Sequence, residues 1–387
     1  MKEEIKKVTV ETDRRIIEVS KNGVAPKVSN MYKIRSASVI DALINDDYDL
    51  KNKPSNVFSC TEVIDAPKAK VLWHRHKNEI TVDVSDNFHT MDGSAIHYVV
   101  EKSNKKAGRI SEERLYIDVT TGEVHTLPDN TPWFVTGEDG NRIVNPAIKW
   151  YNPKHYYVSL KFDNYIDEEE CLEDYKRTSV YEAKAGLKEN RVSQLNIGAY
   201  AMRMIGFPVS KIRACLFLKD WSAAMLKKEE QSAASNGWVC KYPPIPYAEF
   251  EPEVWSDEQC LLFIRERVNL HVVAQSIPDD KIPACTPDER WYRGESFAII
   301  KAGLKTAKKV IKCDDYESRE QALETAEVTL QQYRDEKPKD AALFSIETRP
   351  GNDGRCNGDK KYCHVCQWCD YWQKTYKDKV TVDTEGY

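Results

Sequence analysis

The sequence predicts a mixed α/β fold, in which a central mixed sheet is flanked by helices and followed by a mostly helical insert. Residues 109–165 alternate between apolar and polar side chains, which is the period of half-buried strands. Residues 192–206 have the apolar spacing of an amphipathic helix that ends at a glycine. The apolar run 211–221 then indicates a buried strand.

Local signals predict the other elements. A short helix is expected at 37–44, and residues 57–69 indicate a cap and a short helix that begins at Thr61 and Glu62. A further helix is expected to begin near Gly93. The later expected elements are a strand at 171–184, helices opening at the capping boxes Ser256/Gln259 and Ser318/Gln321, a hairpin turning at Gly303 and a strand at 341–349.

A proline-rich stretch at 243–252 marks a change from one part of the chain to another. The expected division is an N-terminal extension at 1–56, a core at 57–240, an α+β insert with a basic hairpin at 241–340, and a C-terminal strand with a cysteine cluster at 341–387 that packs on the core.

Composition excludes several classes of protein. The chain has 387 residues, of which 41% are apolar and 31% charged, with 16 Gly and 17 Pro, so it is neither collagen-like nor mostly disordered. The net charge is −5, from 57 basic and 62 acidic residues, so a nucleic acid must bind a local basic patch. The N-terminal segment lacks the apolar core of a signal peptide, and no stretch approaches the roughly 18 to 20 apolar residues that cross a bilayer.

Eleven cysteines are an odd number in a long chain without a secretion signal, which argues against a disulfide scaffold. We therefore expect a cytoplasmic protein with no membrane partner. In a reducing compartment, a tight cysteine cluster is a candidate metal site.

Two carboxylates and a lysine lie on neighbouring strand-like stretches. Asp174 and Lys176 share one strand face because alternate residues do so, and Asp163 can join them if the two strands form a hairpin. Carboxylates can hold divalent ions that polarise a phosphate, and a lysine can orient the attacking water and offset developing charge. Taken alone, an Asp-x-Lys pair usually marks a solvated strand edge. The same spacing also occurs between Glu182 and Lys184.

Three motifs accompany this pair. His97 follows Gly93 in GSAIH, Gln194 opens the predicted helix SQLNIGAYAM, and FLKDW ends the strand after it. Together with KFD and EDYK, these motifs resemble the PD-(D/E)XK nucleases of the RecB-like group, which includes CRISPR-associated adaptation nucleases and bacteriophage-encoded exonucleases. The resemblance covers roughly residues 57–225 and extends to the cysteine tail. The stretch IPACTPDERWYRGESFAIIKAGLKTAKKV resembles the phage-encoded members, although its residue types indicate no chemical role.

The resemblance implies a restriction-endonuclease-like core and a set of site residues. The implied catalytic residues are His97, Asp163, Asp174, Tyr175, Lys176 and Gln194. Of these, His97, Asp163 and Asp174 would bind the divalent cation, together with the Tyr175 carbonyl oxygen. The chain departs from the family in having Gly198 where an aromatic residue usually follows the glutamine, with Tyr200 two positions later.

The ligand types also predict which ion is used. Magnesium prefers all-oxygen ligands, whereas manganese accepts a histidine nitrogen more readily. We therefore expect activity with Mg²⁺ or Mn²⁺ and a preference for Mn²⁺.

The C-terminal tail RCNGDKKYCHVCQWCDYW contains Cys356, Cys363, Cys366 and Cys369, a spacing typical of zinc or an iron–sulfur cluster. The resemblance implies a [4Fe–4S] cluster, whereas a purely local four-cysteine site would also suit Zn²⁺. The family has three C-terminal cysteines and one near the N-terminus, where this chain has Ala66. Either Cys60, six residues earlier, completes the site, or Cys366 does so and the site is local.

The predicted hairpin is rich in lysine, namely Lys301, Lys305, Lys308, Lys309 and Lys312. These lysines either contact DNA phosphates or protect a sheet edge from aggregation.

The sequence thus predicts a metal-dependent DNA exonuclease of the bacteriophage-encoded type, which acts on linear ends in recombination or end resection. A helicase or recombinase is the candidate protein partner. The alternatives are an endonuclease of the same fold and a non-catalytic DNA-binding module.

Overall fold

The computed structural model describes residues 16–17, 27–30, 32, 34–44, 53–128, 131–357 and 362–377. The chain divides into two compact units, Met1–Ile277 (unit 1) and Pro278–Tyr387 (unit 2). None of the helices in the described ranges is both long and apolar enough to span a membrane.

The strands described in unit 1 are β1 (Ile16–Ile17), β2 (Lys27–Ser29), β3 (Val57–Ser59), β4 (Thr81–Asp83), β5 (Arg114–Asp118), β6 (Val124–Thr126), β7 (Phe134–Thr136), β8 (Arg142–Val144), β9 (Tyr157–Lys161), β10 (Asn164–Ile166), β11 (Cys171–Thr178), β12 (Lys211–Leu218) and β13 (Tyr247–Phe250). Its helices are α1 (Ala37–Ile44), α2 (Cys60–Val63), α3 (Pro67–His76), α4 (Phe88–Lys106), α5 (Val180–Ala185), α6 (Glu189–Met204), α7 (Ala223–Asn236) and α8 (Asp257–Ser276).

Two four-stranded mixed sheets form the centre of unit 1, with strand orders β3-β9-β5-β6 and β10-β11-β12-β13. Strand β9 ends at Lys161 and β10 begins at Asn164, so the two sheets meet at Phe162 and Asp163. Strands β11 and β12 are parallel and are connected through α6, which is the usual crossover between parallel strands. The predicted α/β class is therefore confirmed, although two four-stranded mixed sheets are present where the sequence predicted one central sheet.

Helix α6 is buried on nearly all sides, although its sequence predicts an amphipathic helix. Leu195, Ile197 and Met202 are each at most 2% exposed. Helix α8 covers the outer side of α6, where Cys260 lies against the Asn196 carbonyl. The capping box predicted at Ser256 opens α8, since its hydroxyl accepts a hydrogen bond from the Gln259 amide.

The boundary between the units lies inside the range expected for the insert. Strand β13 pairs with β12, and Cys260, Ile264 and Val268 of α8 belong to the core of unit 1. The first part of the expected insert is therefore structurally part of the core unit, because it supplies an edge strand and a covering helix.

Some element predictions were wrong in detail. Residues 180–184, expected to continue a strand, form α5, which follows Ser179 at the end of β11. Helix α4 begins at Phe88, five residues before Gly93, and residues 57–69 contain β3 before α2 and the start of α3. Short local patterns did not distinguish these alternatives, since pairing with β9 makes 57–59 a strand.

Unit 2 is built on a three-stranded antiparallel sheet. Its described elements are β14 (Tyr292–Arg293), β15 (Ser296–Lys301), β16 (Lys309–Lys312), α9 (Arg319–Glu336), β17 (Phe344–Arg349), β18 (Asn352–Asp353) and α10 (Asp370–Thr375). The sheet order is β16-β15-β17, and α9 packs Ala322 and Ala326 against Phe297 and Phe344. Both the predicted hairpin and the Ser318 helix cap are present, with Gly303 at a φ of 82°.

Candidate metal centre in unit 1

Strand β11 positions Asp174 and Lys176 on one face and Tyr175 on the other. The parallel register places Asp174 beside Ala214 of β12 and Lys176 beside Leu216. The Lys176 ammonium donates to Asp174 Oδ1 at 2.5 Å. Strand alternation therefore brings this predicted pair together.

Asp163 lies at the junction of the two sheets, one residue before β10. Asn164 pairs with Glu173 in the antiparallel register, so the preceding residue, Asp163, lies opposite Asp174. Its Oδ2 atom accepts a hydrogen bond of 2.6 Å from the Tyr175 amide. In an extended strand the N–H and C=O of one residue point to the same edge, so the Tyr175 carbonyl also faces this edge.

Helix α4 approaches β11 from the Tyr175 side. The His97 and Tyr175 rings are 6.1 Å apart between centroids, in an edge-on arrangement, and Asn104 donates to the Tyr175 hydroxyl at 3.1 Å. His97 Nδ1 lies 3.3 Å from Asp163 Oδ1. The structure therefore brings His97 and Asp163 together, as expected from the motif order.

Glu112 is a site residue that the sequence motifs did not predict. Its Oε1 lies 3.7 Å from His97 Nδ1, while Lys161 forms an ion pair with its other carboxylate oxygen. Ligand atoms of His97, Glu112 and Asp163 all lie within 4.8 Å of one another. The only sequence signal for this residue was the pair Glu112 and Glu113 immediately before the buried strand β5. The pair alone does not specify which carboxylate points inward.

The electrostatics of this cluster favour a charged histidine in the metal-free protein. Burial lowers the pKa of His97, but hydrogen bonds to Asp163 and Glu112 outweigh this effect and raise it to about 10. Burial raises the pKa of Asp163, but His97, Lys176 and the Tyr175 amide together lower it below its ordinary value. Two carboxylates around one imidazole make a negatively charged donor set.

Asp174 is in a different electrostatic state. Burial and the nearby Asp163 carboxylate raise its pKa, although Lys176 acts in the opposite direction. Its Oδ2 atom is buried and has no hydrogen-bond partner among the described residues. An unsatisfied buried carboxylate oxygen is costly without a ligand. Asp174 lies outside the cluster of three, so its role as a metal ligand stays a prediction.

Gln194 of α6 lines a small cavity of 40 Å³ together with Asp163, Asp174 and Cys60. The position of Gln194 therefore agrees with the expected proximity to the acidic pair. Burial is the main cause that raises the pKa of the Cys60 thiol to about 12, and Asp174 raises it further. Cys60 as a ligand of the C-terminal site stays a prediction.

The departure at Gly198 has a packing reason. A Cβ atom at this position would lie 2.7 Å from Leu172 Cδ2, so a glycine lets α6 approach β11 closely. An aromatic side chain would not fit there. Tyr200 instead donates a hydrogen bond of 2.7 Å to the Gly122 carbonyl.

The Glu182–Lys184 pair lies on α5 and has structural partners on β11, α6 and α7. Glu182 accepts hydrogen bonds from Thr178 at 2.5 Å and from Arg191 at 2.6 Å. Lys184 donates to Glu229 at 3.1 Å. These contacts agree with the choice of Asp174 and Lys176 as the functional pair.

The other predicted site residues lie in unit 2. Lys301 forms an ion pair of 2.6 Å with Asp340. Lys305, Lys308, Lys309 and Lys312 are exposed on the hairpin of β15 and β16. Of the tail cysteines, Cys369 is buried, and Cys356, Cys363 and Cys366 are half-buried.

No family model matches the chain, and no curated protein matches it. Among solved structures, the one titled "Crystal structure of SSO0001" is similar to this chain with a TM-score of 0.35 and 14% sequence identity. The similarity covers 60% of this chain and 83% of that chain. A similarity of this size supports no argument about fold or function.

Proposed function

We propose that this chain is a metal-dependent deoxyribonuclease with a PD-(D/E)XK core, which hydrolyses phosphodiester bonds from DNA ends. The observation that carries the proposal is the convergence of His97, Glu112 and Asp163 within 4.8 Å, next to the Asp174–Lys176 pair. The resemblance of the surrounding motifs to RecB-like exonucleases supports the choice of DNA ends as substrate.

The donor set fits a divalent cation. An imidazole nitrogen and two carboxylates would hold Mn²⁺ or Mg²⁺, and the unsatisfied Oδ2 of Asp174 is a further oxygen donor. Such an ion polarises a bound phosphate and lowers the pKa of a coordinated water.

The protein groups have distinct tasks in this mechanism. The Tyr175 amide fixes the orientation of Asp163, and Lys161 fixes that of Glu112. Lys176, whose pKa is raised by Asp174 and Asp163 despite burial, keeps its proton at neutral pH. It can therefore orient the attacking water and offset negative charge on the phosphate.

The surface beside His97 has the chemistry of a single-strand contact. Tyr98 is 63% exposed on α4, and the Lys102 ammonium lies 5.9 Å from the centre of its ring. Lys105 and Lys106 are exposed on the following turn. An exposed aromatic ring with adjacent lysines suits base stacking combined with phosphate contact.

The test uses end-labelled linear and covalently closed circular DNA, each single- and double-stranded, with Mn²⁺. The wild-type protein should degrade only linear DNA, and Asp174→Ala should reduce the rate by at least about 100-fold. Glu138→Ala, an exposed acidic residue of unit 1, is the matched control and should retain the wild-type rate.

Three outcomes would contradict parts of this proposal. Cutting of circles would indicate the endonuclease alternative, and DNA binding without degradation would indicate the binding module. Mg²⁺ should also support activity, so a strict requirement for Ca²⁺ or Zn²⁺ would exclude the assigned site.

A further inference from the structure

Two distant segments of unit 2 run side by side. Tyr292 of β14 pairs with Asp353 of β18, and the pairing continues beyond the strands. The Gly354 amide donates to the Trp291 carbonyl at 3.1 Å, and the Arg355 amide donates to the Arg290 carbonyl at 3.0 Å. The segment that begins at Cys285 therefore lies along the segment that contains Cys356.

A buried ion pair joins these segments. Arg290 Nε donates to Asp353 Oδ1 at 3.0 Å, while Arg290 Nη1 donates to the Cys285 carbonyl. Asp353 is 1% exposed. Because one guanidinium bonds both Cys285 and Asp353, it fixes Cys285 relative to the turn that leads to Cys356 three residues later.

The same ion pair holds the segment after Cys369. The hydroxyls of Tyr371 and Tyr376 each donate to Asp353 Oδ2 at 2.7 Å. Trp372 of α10 donates to the Cys356 carbonyl at 3.0 Å. Cys369 immediately precedes α10, so these bonds hold the segment of Cys369 next to the segment of Cys356.

A ring contact brings the segment that contains Cys363 to the same strands. The Trp291 and Tyr362 rings lie 5.2 Å apart between centroids, in an edge-on arrangement. Trp291 belongs to the segment that pairs with residues 353–355, and Tyr362 immediately precedes Cys363.

We propose that Cys285 is the fourth cysteine of the C-terminal metal centre, together with Cys356, Cys363 and Cys369. Four thiolates would suit either an iron–sulfur cluster or a zinc ion. The assignment of Cys285 is independent of the proposed nuclease activity.

This assignment explains the stretch around Cys285 whose residue types alone indicate no chemical role. Cys285 supplies a ligand and Arg290 positions it. Glu289 closes the turn between them, since its carboxylate accepts from the Thr286 amide at 2.9 Å. Its carbonyl also accepts from Arg355 at 3.2 Å.

The test measures iron, acid-labile sulfide and zinc per chain in full-length protein purified without oxygen, together with the visible absorption spectrum. Cys285→Ser and Cys363→Ser should each contain at least about fivefold less metal per chain than the wild type. Cys366→Ser and Cys60→Ser should retain it, and Cys313→Ser, a half-buried cysteine of unit 2, is the matched control. Iron with sulfide identifies a cluster, and zinc alone identifies a single ion.

A second measurement needs no substitution. Native protein is alkylated before and after metal removal, and each cysteine is followed by mass spectrometry. Cys285 should be protected with Cys356, Cys363 and Cys369 and become reactive with them. The assignment would be overturned if Cys285→Ser kept all its metal, or if Cys366→Ser or Cys60→Ser lost it. It would also be overturned if Cys285 reacted before metal removal, or if the wild-type protein contained no metal.

Discussion

Glu112 has a left-handed backbone conformation, with a φ of 63°, that few residues other than glycine adopt. Its amide donates to the Phe162 carbonyl at 3.1 Å, which fixes the segment against the sheet junction and turns the carboxylate towards His97. Strain of this kind costs of order 1–3 kcal/mol and is found at functional sites. We infer that the candidate metal centre is the reason for this backbone strain.

Glu112→Gln should weaken Mn²⁺ binding by at least about tenfold, because loss even of an outer ligand partner has an effect of this size. Titration calorimetry measures the dissociation constant. Glu113→Gln is the matched control, since Glu113 is the exposed neighbour. Equal affinities for the two variants would remove Glu112 from the site.

His97 should make the stability of the metal-free protein depend on pH. Its pKa is about 10 in the folded chain and about 6.5 when unfolded, so the protonated ring stabilises the fold. This contribution is complete below pH 6.5 and is lost as the pH rises towards 10. The melting temperature of wild type should therefore exceed that of His97→Gln most at pH 6 and least at pH 10. A difference that is constant with pH would contradict the assigned ion pair.

At the scale of elements, the contact between α6 and β11 requires a glycine. Gly198→Ala should destabilise the protein by about 1–3 kcal/mol, since its Cβ would overlap Leu172. Gly93→Ala on α4 is the matched control, because nothing lies within 4 Å of its Cβ and alanine favours a helix by up to about 1 kcal/mol. Urea unfolding measures both changes, and equal stabilities would exclude the close contact.

The exposed face of α4 should contribute to single-strand binding. Tyr98→Ala should weaken binding about fivefold or more, as expected when the stacking of one base is removed. Fluorescence anisotropy measures the affinity for single-stranded DNA in the Asp174→Ala background, which should prevent cleavage. Tyr181→Ala on α5 is the matched control, because the Tyr181 ring is 68% exposed and the Tyr98 ring 63%. It should leave the affinity unchanged. The surface is wrongly assigned if both variants behave alike.

At the scale of the whole molecule, a net charge of −5 means that the proposed DNA binding would depend on local lysines. Replacing Lys305, Lys308, Lys309 and Lys312 by Gln should reduce the slope of log affinity against log salt by about 0.7 for each DNA phosphate that is no longer neutralised. Lys337→Gln with Lys339→Gln is the matched control in unit 2. An unchanged slope would indicate that the lysines only protect β16, which is an edge strand.

Elements with strong local signals were predictable. Ser256 and Gln259 were recognised as a cap because their hydrogen bonds join residues three apart. Gly303 was recognised as a hairpin turn because glycine readily adopts the positive φ found there. The burial of α6 on its outer side was not predictable, because α8, more than fifty residues further along the chain, covers it.

The sequence by itself determined the α/β class, the hairpin and caps, and the shared face of Asp174 and Lys176, because each depends on neighbours within a few residues. Only the tertiary structure decided that Glu112 joins His97 and Asp163, and that the segment after Cys285 pairs with the segment before Cys356. Those associations depend on backbone pairing between segments up to about seventy residues apart and on one left-handed residue. Neither leaves a periodic pattern in the chain, because the free energy of such contacts comes from partners that the local sequence does not specify.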